Sequence, residues 1–124
     1  MKLLIINNHD SFTFNLVDLI RKLNVPYDVL NVEDLKESTA EKYSHILISP
    51  GPDVPQAYPQ LFSMLEKYYQ QKSILGVCLG HQTLCEFFGG RLYNLEKVRH
   101  GQKRILKVRS NSPLFFRLPS EFNI

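Results

Sequence analysis

Short apolar runs alternating with longer amphipathic stretches constrain this chain more than any other feature. Residues 2–7, 27–32, 45–49 and 73–77 read as strands. Three of them are nearly continuous Ile/Leu/Val, the composition of parallel strands covered on both faces. Between them, residues 11–23 put Phe12, Leu16, Leu19, Ile20 and Leu23 at helical spacing. Pro59 suits the first turn of a second helix, which carries Leu61, Leu65 and Tyr68 down one side. A third helix over residues 79–88 is halted by Gly89-Gly90. Residues 33–43 are expected as a short helix or a loop. Alternation of this kind predicts an α/β fold with right-handed crossovers in an open, doubly wound, mostly parallel sheet. Ligands on such sheets bind at the carboxyl ends of the strands.

After Gly90 the texture changes. Residues 91–94 and 104–109 look like short, basic, antiparallel or edge strands, and Ser112-Pro113 opens a brief turn through Phe116. The segment 91–109 holds seven Lys/Arg against one acid, whereas the rest of the chain is net acidic. The expected reading is a solvated hairpin whose edge lysines discourage strand pairing, not a nucleic-acid surface. No repeat or linker divides the 124 residues, so a single domain over 1–124 is expected. Hydrophobic residues at 44% and charged residues at 22% exclude a disordered chain. No apolar run reaches the roughly 20 residues of a membrane span. The opening Met-Lys-Leu-Leu-Ile-Ile is too short and too soon polar for an export leader. The expected location is the cytoplasm, without membrane contact.

The chemistry concentrates in Ile74-Leu-Gly-Val-Cys-Leu-Gly-His-Gln82. A buried strand runs into Gly76-Val77-Cys78-Leu79-Gly80 and a helix follows, the cysteine counterpart of the G-x-S-x-G nucleophile elbow. The turn is so tight that positions two before and two after the nucleophile must lack side chains, hence Gly76 and Gly80. The geometry lifts the thiol of Cys78 to the top of the sheet, at a helix N-terminus whose dipole favours an anion such as a thiolate. It also aims the backbone N–H of Leu79 at a reacting carbonyl. The plainer reading is a strand–helix joint holding a small buried Cys. Two glycines at the required positions favour the elbow.

A second element, Ser49-Pro50-Gly51-Pro52-Asp53-Val54-Pro55, directly follows the third strand. Its prolines stiffen the loop, and Gly51 permits close approach of backbone N–H groups, which suits an oxyanion hole shared with Leu79. In Asn7-Asn8-His9-Asp10-Ser11-Phe12, Asp10 or Ser11 is expected to cap the following helix. Cys78 and Cys85, about 10 Å apart on a helix rising roughly 1.5 Å per residue, are too far apart for a disulfide. Cys78, His81 and Cys85 make an unconvincing metal cluster, because an elbow aims Cys78 off the helix face and no second Cys/His pair has zinc-like spacing. His81 is expected to serve packing or hydrogen bonding, and His100-Gly101 to shape a loop. No metal and no cofactor are expected.

Asn8-His-Asp-Ser-Phe-Thr-Phe-Asn-Leu16, Ile48-Ser-Pro-Gly-Pro52, Gly76-Val-Cys-Leu-Gly-His-Gln82 and His100-Gly101 stand in the order and approximate spacing of a known family. Along its whole length the chain resembles the class I, triad-type glutamine amidotransferases. Within that class it looks like the glutaminase component of anthranilate synthase or aminodeoxychorismate synthase. The resemblance implies a flavodoxin-like sheet. It implies that Cys78 attacks the side-chain amide of L-glutamine, forming a glutamyl thioester and freeing ammonia. The N–H groups of Gly51 and Leu79 would hold the oxyanion, and Gly51, Pro52, Asp53 and Gln82 the glutamine. Ammonia would pass to a separate chorismate-binding synthase subunit, in tryptophan or folate biosynthesis.

Two departures from the family pattern stand out. Asp53 replaces the last glycine of the usual Pro-Gly-Pro-Gly loop. The family's His-x-Glu, whose His takes the thiol proton, is missing: His9, His45, His81 and His100 are not followed two positions on by an acid. The expectation is therefore a C-terminally shortened domain with an incomplete sheet, inactive by itself. The alternative is a non-catalytic, glutaminase-like module that binds a partner. A peptidase-like cysteine hydrolase on a similar sheet fits Gln82 and the Pro-Gly-Pro loop less well.

Overall fold

The computed structural model describes all residues, Met1–Ile124, and resolves them into two compact units, Met1–Leu92 and Tyr93–Ile124. In the first unit, strands β1 (Leu3–Asn7), β2 (Tyr27–Asn31), β3 (His45–Ile48) and β4 (Ser73–Gly76) alternate with helices α1 (Thr13–Lys22), α2 (Pro59–Tyr68) and α3 (Leu79–Phe87). The strands form one parallel sheet in the order β2-β1-β3-β4. An α/β fold with a parallel sheet is thus what the apolar runs foretold. The interval expected as a short helix or loop holds two single 3₁₀ turns, Val32–Asp34 and Thr39–Lys42.

The near-continuous apolar runs are explained by cover on both faces. Leu4 and Ile6 of β1 and Ile46 and Ile48 of β3 pack with Leu61, Met64 and Leu65 of α2. Leu3 and Ile5 turn the other way and meet Leu47 and Val17 of α1. The stripe expected on α2 is buried as read, with Tyr68 donating its hydroxyl to the Glu37 carbonyl at 2.8 Å. The stripe expected on α1 is not. The helix seats on the sheet through Thr13, Val17 and Ile20, while Phe12 (65% exposed), Leu19 and Leu23 (67%) face outward. A helix this short lies on the sheet along one line at i, i+4 and i+7, so its second apolar line is left uncovered.

The start of α1 also differs from expectation. Neither Asp10 nor Ser11 caps it; the N-cap is Phe12, without a side-chain cap. Asp10 instead closes the preceding turn, its carboxylate accepting the Phe12 N–H at 2.8 Å. The end of α3 matches its reading: Gly89 takes φ 90°, and the N–H groups of Gly89 and Gly90 close on the carbonyls of Glu86 and Cys85.

In the second unit, β5 (Ile105–Lys107) pairs antiparallel with β6 (Glu121–Asn123), with a 3₁₀ turn Pro113–Phe115 between them. Residues 91–94 form no strand, contrary to expectation; the basic strand finds its partner in β6, where Lys107 faces Glu121 at 3.5 Å. No residue of this unit is fully buried. No helix of the protein is long and apolar enough to cross a membrane.

Candidate active site

Cys78 stands between the last residue of β4 and the first of α3, as the N-cap of α3, with φ 53° and ψ −108°. A residue with a side chain adopts that conformation only where the surrounding structure enforces it. Hydrogen bonds enforce it from both sides. The Val77 N–H extends the ladder to the Ile48 carbonyl at 3.0 Å, and Gln82 and Gly80 bond back to the Cys78 and Val77 carbonyls at 2.9 and 3.0 Å. The thiol is exposed and not in a disulfide.

The flanking glycines have the predicted steric reason. A Cβ on Gly76 would lie 2.3 Å from the carbonyl carbon of Gly80, and a Cβ on Gly80 would lie 2.3 Å from the carbonyl oxygen of Ile48. The turn is pressed onto itself and onto the end of β3. The 49–53 loop arrives at the same place. A Cβ on Gly51 would come 2.3 Å from Leu79 Cδ2 and 2.9 Å from Asn8 Cβ. Gly51 therefore sits on the residue that follows Cys78. The backbone N–H groups of Gly51 and Leu79 donate to no acceptor within the chain, which leaves both available to an anion.

Gln82, half-buried, lies on α3 one turn beyond Cys78. Pro52 and Asp53 are exposed, and the Asp53 charge is felt by Tyr58, whose phenol is pushed above its ordinary value first by burial and then by that charge. The structure thus brings Cys78, Leu79 and Gly51 together, with Gln82 close along the helix. Pro52 and Asp53 continue the loop toward Tyr58.

The histidines have other partners. His81 is exposed, with Nε2 at 3.4 Å from the Cys85 sulfur, one helical turn on. His45 Nδ1 is 2.8 Å from the Ser44 hydroxyl. His9, at φ 61°, puts Nε2 2.7 Å from the Glu33 carboxylate, and this hydrogen bond is the main cause that holds Glu33 below its usual range. His100 belongs to the second unit and is exposed. No group of three or more His, Cys, Asp or Glu side chains is arranged to hold a metal ion.

Two residues beside the site were given no role from the sequence: Asn8 and Ser49, both fully buried just after β1 and β3. The signal available was their position directly after apolar strands, where a buried polar residue needs a partner.

An exposed cysteine held at positive φ on a strand–turn–helix, beside a glycine-containing loop with free N–H groups, has the geometry of a nucleophile elbow on a parallel α/β sheet. The chain belongs to the glutamine amidotransferase class-I family, whose model matches residues 4–124. It is 93% identical over all 124 residues to a Haemophilus influenzae protein named "Putative anthranilate synthase component II", of which it spans 64%. It is 37% identical over 108 residues to the aminodeoxychorismate synthase component 2 of Escherichia coli, covering 81% of this chain and 54% of that protein. A solved structure of a Thermotoga maritima glutamine amidotransferase superimposes with a TM-score of 0.81 at 21% identity, over 100% of this chain and 58% of that one. The chain thus spans less than two thirds of the length of each.

Proposed function

We propose that this chain supplies the glutaminase chemistry of a chorismate-using synthase. The Cys78 thiolate attacks the side-chain amide carbon of L-glutamine, and the N–H groups of Gly51 and Leu79 receive the oxyanion. Collapse of the tetrahedral adduct breaks the C–N bond. The nitrogen leaves with an added proton as ammonia, and a glutamyl thioester remains. Water then attacks the thioester, releasing glutamate and restoring the thiol. Pro52, Asp53 and Gln82 hold the glutamine, and ammonia passes to a partner subunit that binds chorismate, for anthranilate or 4-amino-4-deoxychorismate.

The observation that carries this reading is the contact of Gly51 with Leu79 beside an exposed, positive-φ Cys78. The names of the two curated relatives support the choice of partner. Proton transfer sets the rate by this reading. With His81 beside Cys85 and His9 on Glu33, the 124 residues acylate but turn over slowly.

The test is ammonia release from glutamine by the chain, alone and with its synthase partner, alongside labelling by an electrophilic glutamine analogue. Selective labelling of Cys78 with slow ammonia release is expected. Turnover typical of a complete glutaminase refutes the slow-turnover part. Absence of selective labelling refutes the glutamine pocket and favours a non-catalytic, partner-binding module.

A further inference from the structure

We infer that Asn8 is a positioning residue for the oxyanion loop, holding Gly51 against the elbow through a two-bond latch on Ser49. The inference rests on the glutaminase reading above and adds to it the residue that sets the loop. The latch is built from both ends of Asn8. Its backbone N–H donates to Ser49 Oγ at 2.9 Å, and its side-chain Nδ2 donates to the Ser49 carbonyl at 2.9 Å. Ser49 Oγ in turn donates a hydrogen bond to the Pro50 carbonyl at 2.8 Å. Ser49 N–H donates to the Ile6 carbonyl of β1 at 3.1 Å, so residue 49 is tied at three points to the first strand and the residue just after it. Two residues on, Gly51 packs where a side chain would meet both Leu79 Cδ2 and the Cβ of Asn8.

The remaining atom of that amide argues against a role in stability alone. Asn8 is fully buried, yet its Oδ1 finds no hydrogen-bond partner in the chain. A buried unpaired acceptor is destabilising, and such violations gather where function demands them. The orientation of the amide is set, because turning it over would face Oδ1 with the Ser49 carbonyl oxygen. An amide at this position therefore costs stability at one end and fixes the direction of the loop at the other. Leucine would fill the volume without the donor. Aspartate would meet the carbonyl with another acceptor.

The test compares two reagents on Cys78 of the whole 124-residue chain. An electrophilic analogue of glutamine, a diazoketone, needs the oxyanion loop to polarise its carbonyl. Iodoacetamide needs only an accessible thiol. Asn8→Ala is expected to slow the diazoketone by at least about tenfold, short of the roughly 10²–10³ that follows outright loss of an oxyanion donor. Its iodoacetamide rate should stay within about twofold of wild type, since the elbow itself is untouched. Half-buried Cys85 reports folding, because its labelling accelerates in any unfolded variant. Should Asn8→Ala expose Cys85, Ser49→Ala tests the other bond of the latch, as it removes the acceptor of the Asn8 N–H and keeps the backbone carbonyl that Nδ2 reaches. Equal diazoketone rates in wild type and in a folded latch variant overturn the inference while leaving the glutaminase reading intact. Absence of selective diazoketone labelling in the wild type removes that reading, and the inference with it.

Discussion

Gly80→Ala tests the elbow through sterics alone, without reference to substrate. The added methyl would stand 2.3 Å from the Ile48 carbonyl oxygen, about 1 Å inside normal contact, and 2.8 Å from the Ile48 Cβ. Neither side can yield cheaply. Ile48 is fully buried at the end of β3 and its carbonyl already accepts the Val77 N–H, while Gly80 is held on α3 by its bond to Val77. Forcing one carbon into a packed site of this kind costs about 3 kcal/mol. For a chain of this size that corresponds to a fall in Tm of roughly 10 °C. The control is Gly89→Ala. There the backbone is at φ 90° and nothing lies within 4 Å of the added carbon, so only backbone strain opposes it. That strain amounts to about 1–2 kcal/mol. Thermal melts of both variants, with iodoacetamide labelling of Cys78 as a local probe, separate the two mechanisms. A Gly80→Ala protein that melts no lower than Gly89→Ala, with unchanged Cys78 reactivity, refutes the close packing of α3 on β3.

Other outcomes follow from the same contacts. Cys78→Gly should be more stable than Cys78→Ala by about 1–3 kcal/mol, because glycine accepts φ 53° and ψ −108° without strain; paired melts decide it. Leu65→Ala, at a fully buried position of α2, should cost about 2–5 kcal/mol in urea unfolding, whereas Leu19→Ala on the outward face of α1 should change stability little. The Tyr43 phenol is pushed up to about 12, first by burial and then by its hydrogen bond to Asp28 at 2.6 Å. Its folded value exceeds its unfolded one, so its contribution is fully present below about pH 10 and is lost as pH rises through 12. Urea midpoints at pH 9 and pH 11.5 should therefore diverge more in wild type than in Tyr43→Phe.

The parts of this fold that were legible in the sequence are those written in local pattern. Leu3–Asn7 and His45–Ile48 announced themselves because strands covered on both faces cannot alternate polar and apolar residues. Gly76 and Gly80 did so because a tight elbow leaves no volume for a side chain. What failed depended on which surfaces are present to be covered. Helical spacing in α1 offers two apolar lines, and only docking decides that Val17 goes in and Phe12 stays out. The same holds for residues 91–94, whose strand-like composition did not identify β6 as the partner of β5. Asn8 illustrates the limit within the site. Its role comes from a contact with Ser49 across 41 positions of sequence, which no local spacing encodes.

The central claim is that the sulfur of Cys78 acylates on glutamine. Incubating the chain with L-glutamine, quenching in acid and sequencing the peptides by mass spectrometry addresses it directly. The account predicts one glutamyl group per chain, carried on Cys78 and absent from Cys78→Ser. A chain that acquires no glutamyl group, or one that acquires it at Cys85 and keeps it in Cys78→Ser, contradicts the account.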